Sequence, residues 1–201
     1  MSKEPISIQD ARKLSEEEKL ELIRSIEQDA RHNEVEYFGC SQAVLGALQR
    51  NLAIGNGEAF KAASALLGGV AMSREACGAL TGGVMAIGLV YGRTSLENGN
   101  IGPENHAFLE ARVRGSKLCD RFREEFGSLR CGDVMVSAGR KDFPDFNTVE
   151  AFEDHAKCEN VTGPAARFAA EIIFQPTELF ADEIDALLDD MRQIRKQQKQ
   201  S

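Results

Sequence analysis

From Cys77 to Gly92 the chain carries no charged side chain, yet it places glycine at 78, 82, 83, 88 and 92. Few structures accept such a run. Its roughly 16 uncharged residues fall short of the about 20 that a membrane-spanning helix needs. Ala79, Gly83, Ala86 and Val90 recur at steps of three and four, which predicts a buried helix. Each interior glycine costs a helix about 1 kcal/mol relative to alanine. Gly78, Gly82, Gly83 and Gly88 are therefore expected to serve close approach, of another backbone or of a cofactor. Ser73 is the expected N-cap. That puts Cys77 near the first turn, where free N–H groups and the helix dipole favour a thiolate. A cysteine in such a helix also fits the role of a small buried hydrophobe.

The rest of the chain reads as helices with short connections. Ser15 with Glu18 is a capping box, and it opens a helix with Leu20, Ile23, Ile26 and Ala30 on one face. A shorter helical piece is expected over 7–13. The next helix spans about 34–50, with Cys40 within it or at a break caused by Gly39. Ala59, Phe60, Ala63 and Leu67 form a short helix that Gly68-Gly69 stops. A loop over 93–102, with Asn98-Gly99 and Asn100 as turn formers, leads to Pro103, which opens a helix ending at Phe126. Phe108, Ala111, Gly115, Leu118, Phe122 and Phe126 make its stripe, and Gly127 caps it.

A tight connection around Cys131 precedes a loop holding Phe143-Pro144-Asp145-Phe146. A helix near 149–157 puts His155 and Cys158 on one face. Gly163-Pro164 is expected to break or kink the next helix. Pro176 then stops that helix, and Thr177 caps a final one whose seam runs from Leu179 to Ile194. No strand, repeat or linker is evident. The fold class is all-α: a bundle-like single domain with a helical extension at 1–33, a four-cysteine domain at 34–175 and an amphipathic C-terminal helix and tail at 176–201.

A net charge of -8 argues against nucleic acid and against anionic membrane surfaces. The start, MSKEPISIQDARK, holds no apolar signal core. A cytoplasmic protein is expected, in which stable disulfides are uncommon. The five cysteines, Cys40, Cys77, Cys119, Cys131 and Cys158, contain no C-x-x-C. Any shared site must therefore be assembled by the fold.

The segments Gly39-Cys40-Ser41-Gln42-Ala43-Val44-Leu45 and Cys77-Gly78-Ala79-Leu80-Thr81-Gly82-Gly83, then Phe126-Gly127-Ser128-Leu129-Arg130-Cys131 and Cys158, form a pattern. In them the chain resembles the C_GCAxxG_C_C family of redox-active proteins over roughly residues 35–175. The resemblance implies a four-cysteine site at Cys40, Cys77, Cys131 and Cys158, working by redox chemistry or cluster binding. Cys119 falls outside it, in keeping with a packing role.

Three functions are open to such a chain. The first is a redox or metal-binding protein, in which the four sulfurs hold an iron–sulfur cluster or zinc or exchange disulfides. Here Gly78, Ala79 and Gly82 would leave room for the cofactor, and a redox partner protein would supply or take electrons. In variants of this reading His155 replaces one sulfur, or Cys119 resolves a disulfide. The second is a structural or interaction protein with packing cysteines, whose terminal helices bind a partner or form a homodimer. The third, a hydrolase, ranks last, since no nucleophile signature, phosphate-binding loop or dinucleotide fingerprint is present. Convergence of the four cysteines separates the first two.

Overall fold

The computed structural model describes residues 4–96, 103–145 and 147–198. The expected turn at Asn98-Gly99-Asn100, and Phe146, lie outside them. The described residues form helices and no strand, with isolated backbone bridges only. None of these helices is long and apolar enough to cross a membrane.

The first two helices are α1 (Ile8–Lys13) and α2 (Glu16–Tyr37). The capping box forms as its residue types require: the Ser15 hydroxyl accepts from the Glu18 N–H, and the Glu18 carboxylate accepts from the Ser15 N–H. Helix α2 continues past 34, the expected start of the next helix, and ends where Phe38 and Gly39 take positive φ. The break therefore precedes Cys40, and α3 (Cys40–Asn51) begins with it. On α2 Leu22, Ile23, Ile26 and Ala30 are buried, whereas Leu20 is exposed.

Helix α4 (Gly57–Ala62) runs into a 3-10 turn ending at Leu66. The glycine-rich helix α5 (Gly78–Tyr91) comes next. It packs against α3 on one side and against α6 (Pro103–Phe126) and α9 (Glu159–Phe174) on the other. A Cβ on Gly82 would collide with the Ser41 carbonyl of α3. One on Gly83 would press on Leu118 of α6 and Ala169 of α9. These two glycines thus serve helix–helix approach. Gly88 faces open space, and nothing in the structure explains it.

Helix α6 divides its apolar residues between two partners. Leu118 and Phe122 enter the main core, and Leu109 and Val113 form a second cluster with Phe180, Ile184 and Leu188. The stripe thus shifts by one residue near its start, leaving Phe108 exposed beneath the Arg93 guanidinium. This second cluster seats α10 (Ala181–Gln198) on α6. Fully buried Arg114 locks the junction. It pairs with Glu110 at 2.8 Å and donates to the carbonyls of Ile172 and Gln175. Thr177 donates its hydroxyl to Glu110 at 2.8 Å, and residues 177–180 form a 3-10 turn before α10, so the expected Thr177 cap is not made.

Helix α7 (Cys131–Ser137) precedes α8 (Val149–Glu153), and a 3-10 stretch, Asp154–Cys158, leads directly into α9. Contrary to expectation, α9 continues through Gly163 and Pro164. Pro164 lies in the second turn. The carbonyl that loses its donor belongs to Asn160, an exposed residue, so water can satisfy it.

Candidate functional site

Each of the four family-pattern cysteines stands at the N-terminal end of a helix. Cys40 is the first residue of α3, Cys77 is the N-cap of α5, Cys131 is the first residue of α7 and Cys158 is the N-cap of α9. The N-cap of α5 is thus Cys77 and not Ser73, whose hydroxyl donates to the Gly69 carbonyl instead. The four ends meet around one cavity of about 30 Å³, walled by all four cysteines together with Glu34 and Arg140. A water needs about 10–15 Å³ measured in this way, so the cavity admits a water-sized occupant.

Main-chain contacts set two of the thiols. Ala76 and Arg130 form an antiparallel bridge. Cys77 N–H donates to the Leu129 carbonyl at 2.9 Å, and Cys131 N–H donates to the Glu75 carbonyl at 2.6 Å. A segment wound left-handedly supports this bridge. Gly68, Gly69, Val70, Ala71, Met72 and Arg74 all have φ between 49° and 75°. That conformation costs non-glycine residues about 1–2 kcal/mol each. Its hydrogen bonds run inward, from Ala71 N–H to the Ala65 carbonyl, from Arg74 N–H to that of Gly68 and from Glu75 N–H to that of Gly69. Gly69 fits because a Cβ there would collide with the Cys131 Cβ. Gly78 fits because its missing side chain leaves room for the Cys40 sulfur. Of the three residues expected to face a cofactor, Gly78 supports a thiol, Ala79 lines the cavity and Gly82 packs on α3.

Burial dominates the electrostatics. It pushes the Cys40 and Cys77 thiols far up, and it raises Cys131 despite Arg140 and Arg74 nearby. The Cys158 thiol is pushed up to about 12, first by burial and then by Glu34, although Arg140 Nη1 donates to its sulfur at 3.4 Å. The expectation that the α5 dipole makes Cys77 a thiolate is therefore overturned. The N–H groups of Leu80 and Ala79 do pull its pKa down, but desolvation outweighs them. The resting thiols are protonated near neutral pH, and none is in a disulfide.

The four sulfurs are a donor set that zinc or an iron–sulfur cluster accepts. Their present disposition is not a coordination sphere: no group of three or more His, Cys, Asp or Glu among the described residues is placed to hold a metal ion. His155 does not complete one. Its ring lies against Phe38 and Phe152, and its nitrogens approach the carbonyls of Phe152 and Val35. Cys119 lies apart from the cavity, half-buried against the core.

The C_GCAxxG_C_C family, described as "Putative redox-active protein", matches residues 38–172. The chain belongs to this family. With membership comes a redox role in general, and the matched stretch contains all four cavity cysteines. No curated protein and no solved structure matches the chain.

Two residues of the C_GCAxxG_C_C site are not evident as site residues in the sequence. Arg140 comes after Gly139 in what reads as a polar loop, with no signal to mark it. Glu34 does leave one. It sits four residues after Ala30, on the stripe that carries Ile23 and Ile26, so a charge falls where an apolar residue belongs.

Proposed function

We propose that this chain transfers electrons by thiol–disulfide exchange at Cys40, Cys77, Cys131 and Cys158. The observation that carries this reading is the meeting of four unpaired cysteines, from four helix ends, in one buried cavity. As a small hydrophobe a cysteine has no preference for other cysteines over alanine or valine, so packing alone does not select four sulfurs around one cavity. In the exchange, a cavity thiolate attacks a sulfur of an incoming disulfide. That S–S bond breaks, one thiolate leaves and takes up a proton, and a mixed disulfide forms. A second cavity thiol loses its proton and displaces the remaining sulfur. Two cysteine sulfurs are oxidised to one internal disulfide, and the incoming disulfide is reduced to two thiols. A redox partner protein or a small disulfide is the electron acceptor.

The test is a thiol count on protein purified without oxygen, before and after a disulfide oxidant, with the bonds mapped by mass spectrometry. Loss of two thiols, both among the four, is the expected result. Unchanged thiols would return the chain to the structural class. Stoichiometric iron with acid-labile sulfide, or zinc, in the purified protein would replace exchange by a sulfur-ligated centre.

A further inference from the structure

Among the groups that wall the thiol cavity, Glu34 is the carboxylate. It comes from α2, before the stretch that the family matches, and it is 2% exposed. One of its oxygens, Oε2, is buried without a hydrogen-bond partner among the described residues. A buried polar atom without a partner is costly and is retained where it has a task.

The titratable and charged groups that act on it come from three helices and one connection. Cys40 lies on α3, Cys131 on α7, Cys158 at the start of α9, and Arg140 beyond α7. The Gly39 backbone also bonds to the carboxylate. Burial holds the carboxyl at a pKa of about 7, against the pull of Arg140 and Gly39. Of the four thiols, Cys158 is half-buried while the others are buried, and its sulfur accepts a hydrogen bond from Arg140.

Resting on the thiol–disulfide reading above, we propose that Glu34 is the proton acceptor that activates the Cys158 thiol for attack on an incoming disulfide. The proton moves from Cys158 Sγ to the Glu34 carboxylate, directly or through one water in the cavity. The Arg140 guanidinium steadies the forming thiolate. The sulfur then attacks, the disulfide S–S bond breaks, and the departing thiolate takes the proton back from Glu34. A thiol with so high a pKa reacts slowly unaided, and a positioned base contributes typically about 10²–10⁴-fold.

The experiment tracks thiol loss from the full reduced chain on mixing with bis(2-hydroxyethyl) disulfide between pH 5 and 9. The native protein is expected to speed up through an inflection near 7 and then level off. Glu34→Gln is expected to lose that inflection and to slow about 10²-fold. Glu34→Asp, which keeps the acid and covers the case of a misfolded Gln variant, is expected to keep an inflection at a lower rate. Glu34→Gln or Glu34→Asp reacting at the native rate with the native profile overturns the proposal. So does a native rate that climbs about tenfold per pH unit through pH 9, the signature of thiol ionisation alone. If the native chain forms no internal disulfide at any pH, the exchange reading itself falls, a result distinct from the other two.

Discussion

The sulfur of Cys40 rests against Gly78, in the space a side chain at residue 78 would fill. The Leu66 carbonyl, 2.9 Å from the same point, closes the other side. Gly78→Ala therefore has to displace Cys40 or part α5 from the 3-10 turn. Overpacking of this kind costs about 1–3 kcal/mol. A lower urea midpoint and faster alkylation of Cys40 are expected, read by mass spectrometry. An unchanged midpoint would mean that the contact is loose in solution.

Val70 is a β-branched residue at φ 65° with 42% of its surface exposed. It holds a strained left-handed backbone and leaves much of its surface in water. Val70→Gly relieves that strain while leaving a more flexible unfolded chain. A net gain of about 1 kcal/mol is expected, seen as a higher thermal midpoint. A lower midpoint would argue against left-handed winding there.

Arg114 is fully buried, with Glu110, two carbonyls and the rings of Tyr91 and Phe180 as neighbours. Arg114→Leu strands the Glu110 charge. Breaking a buried pair from one side costs about 3–5 kcal/mol. Adding Glu110→Gln is expected to recover part of the loss, which a denaturation cycle over the two single variants and the double one would measure.

Glu34 ties stability to pH. Its folded pKa of about 7 lies above its ordinary value of 4.5. Between those values the folded chain holds a proton that the unfolded chain has released, so this group's contribution falls as pH rises through that window. The drop is on the order of 3 kcal/mol, at about 1.4 kcal/mol per pKa unit. Urea midpoints at pH 5 and pH 8 should therefore lie closer together in Glu34→Gln than in the native chain. An equal spacing would place the Glu34 carboxyl in contact with water.

Local rules locate most helix ends. Ser15 and Glu18, Pro103 and Gly127 each act within one turn of their own position, so the sequence displays them directly. What it conceals depends on distant neighbours. The stop at Phe38, the left-handed run after Leu67 and the passage of α9 through Pro164 are decided by packing across the fold, against local propensity. The four cysteines are legible from the family pattern and not from their spacing, because each lies on a different helix. Their pKa values are not, because a helix end weighed alone omits the burial that offsets it. Glu34 is visible as a charge on an apolar stripe, but an acidic helix hides it among solvated neighbours.

The Ala76–Arg130 bridge carries one more implication. The rung and its flanking N–H bonds fix where Cys77 and Cys131 stand, and none of those bonds uses a sulfur atom. Position and reactivity are thus separate inheritances: the peptide chain supplies the first, and the side chain supplies only the second. A lineage could exchange either thiol for another small side chain and still keep an intact socket. New chemistry could arise here by swapping the tool without rebuilding the handle.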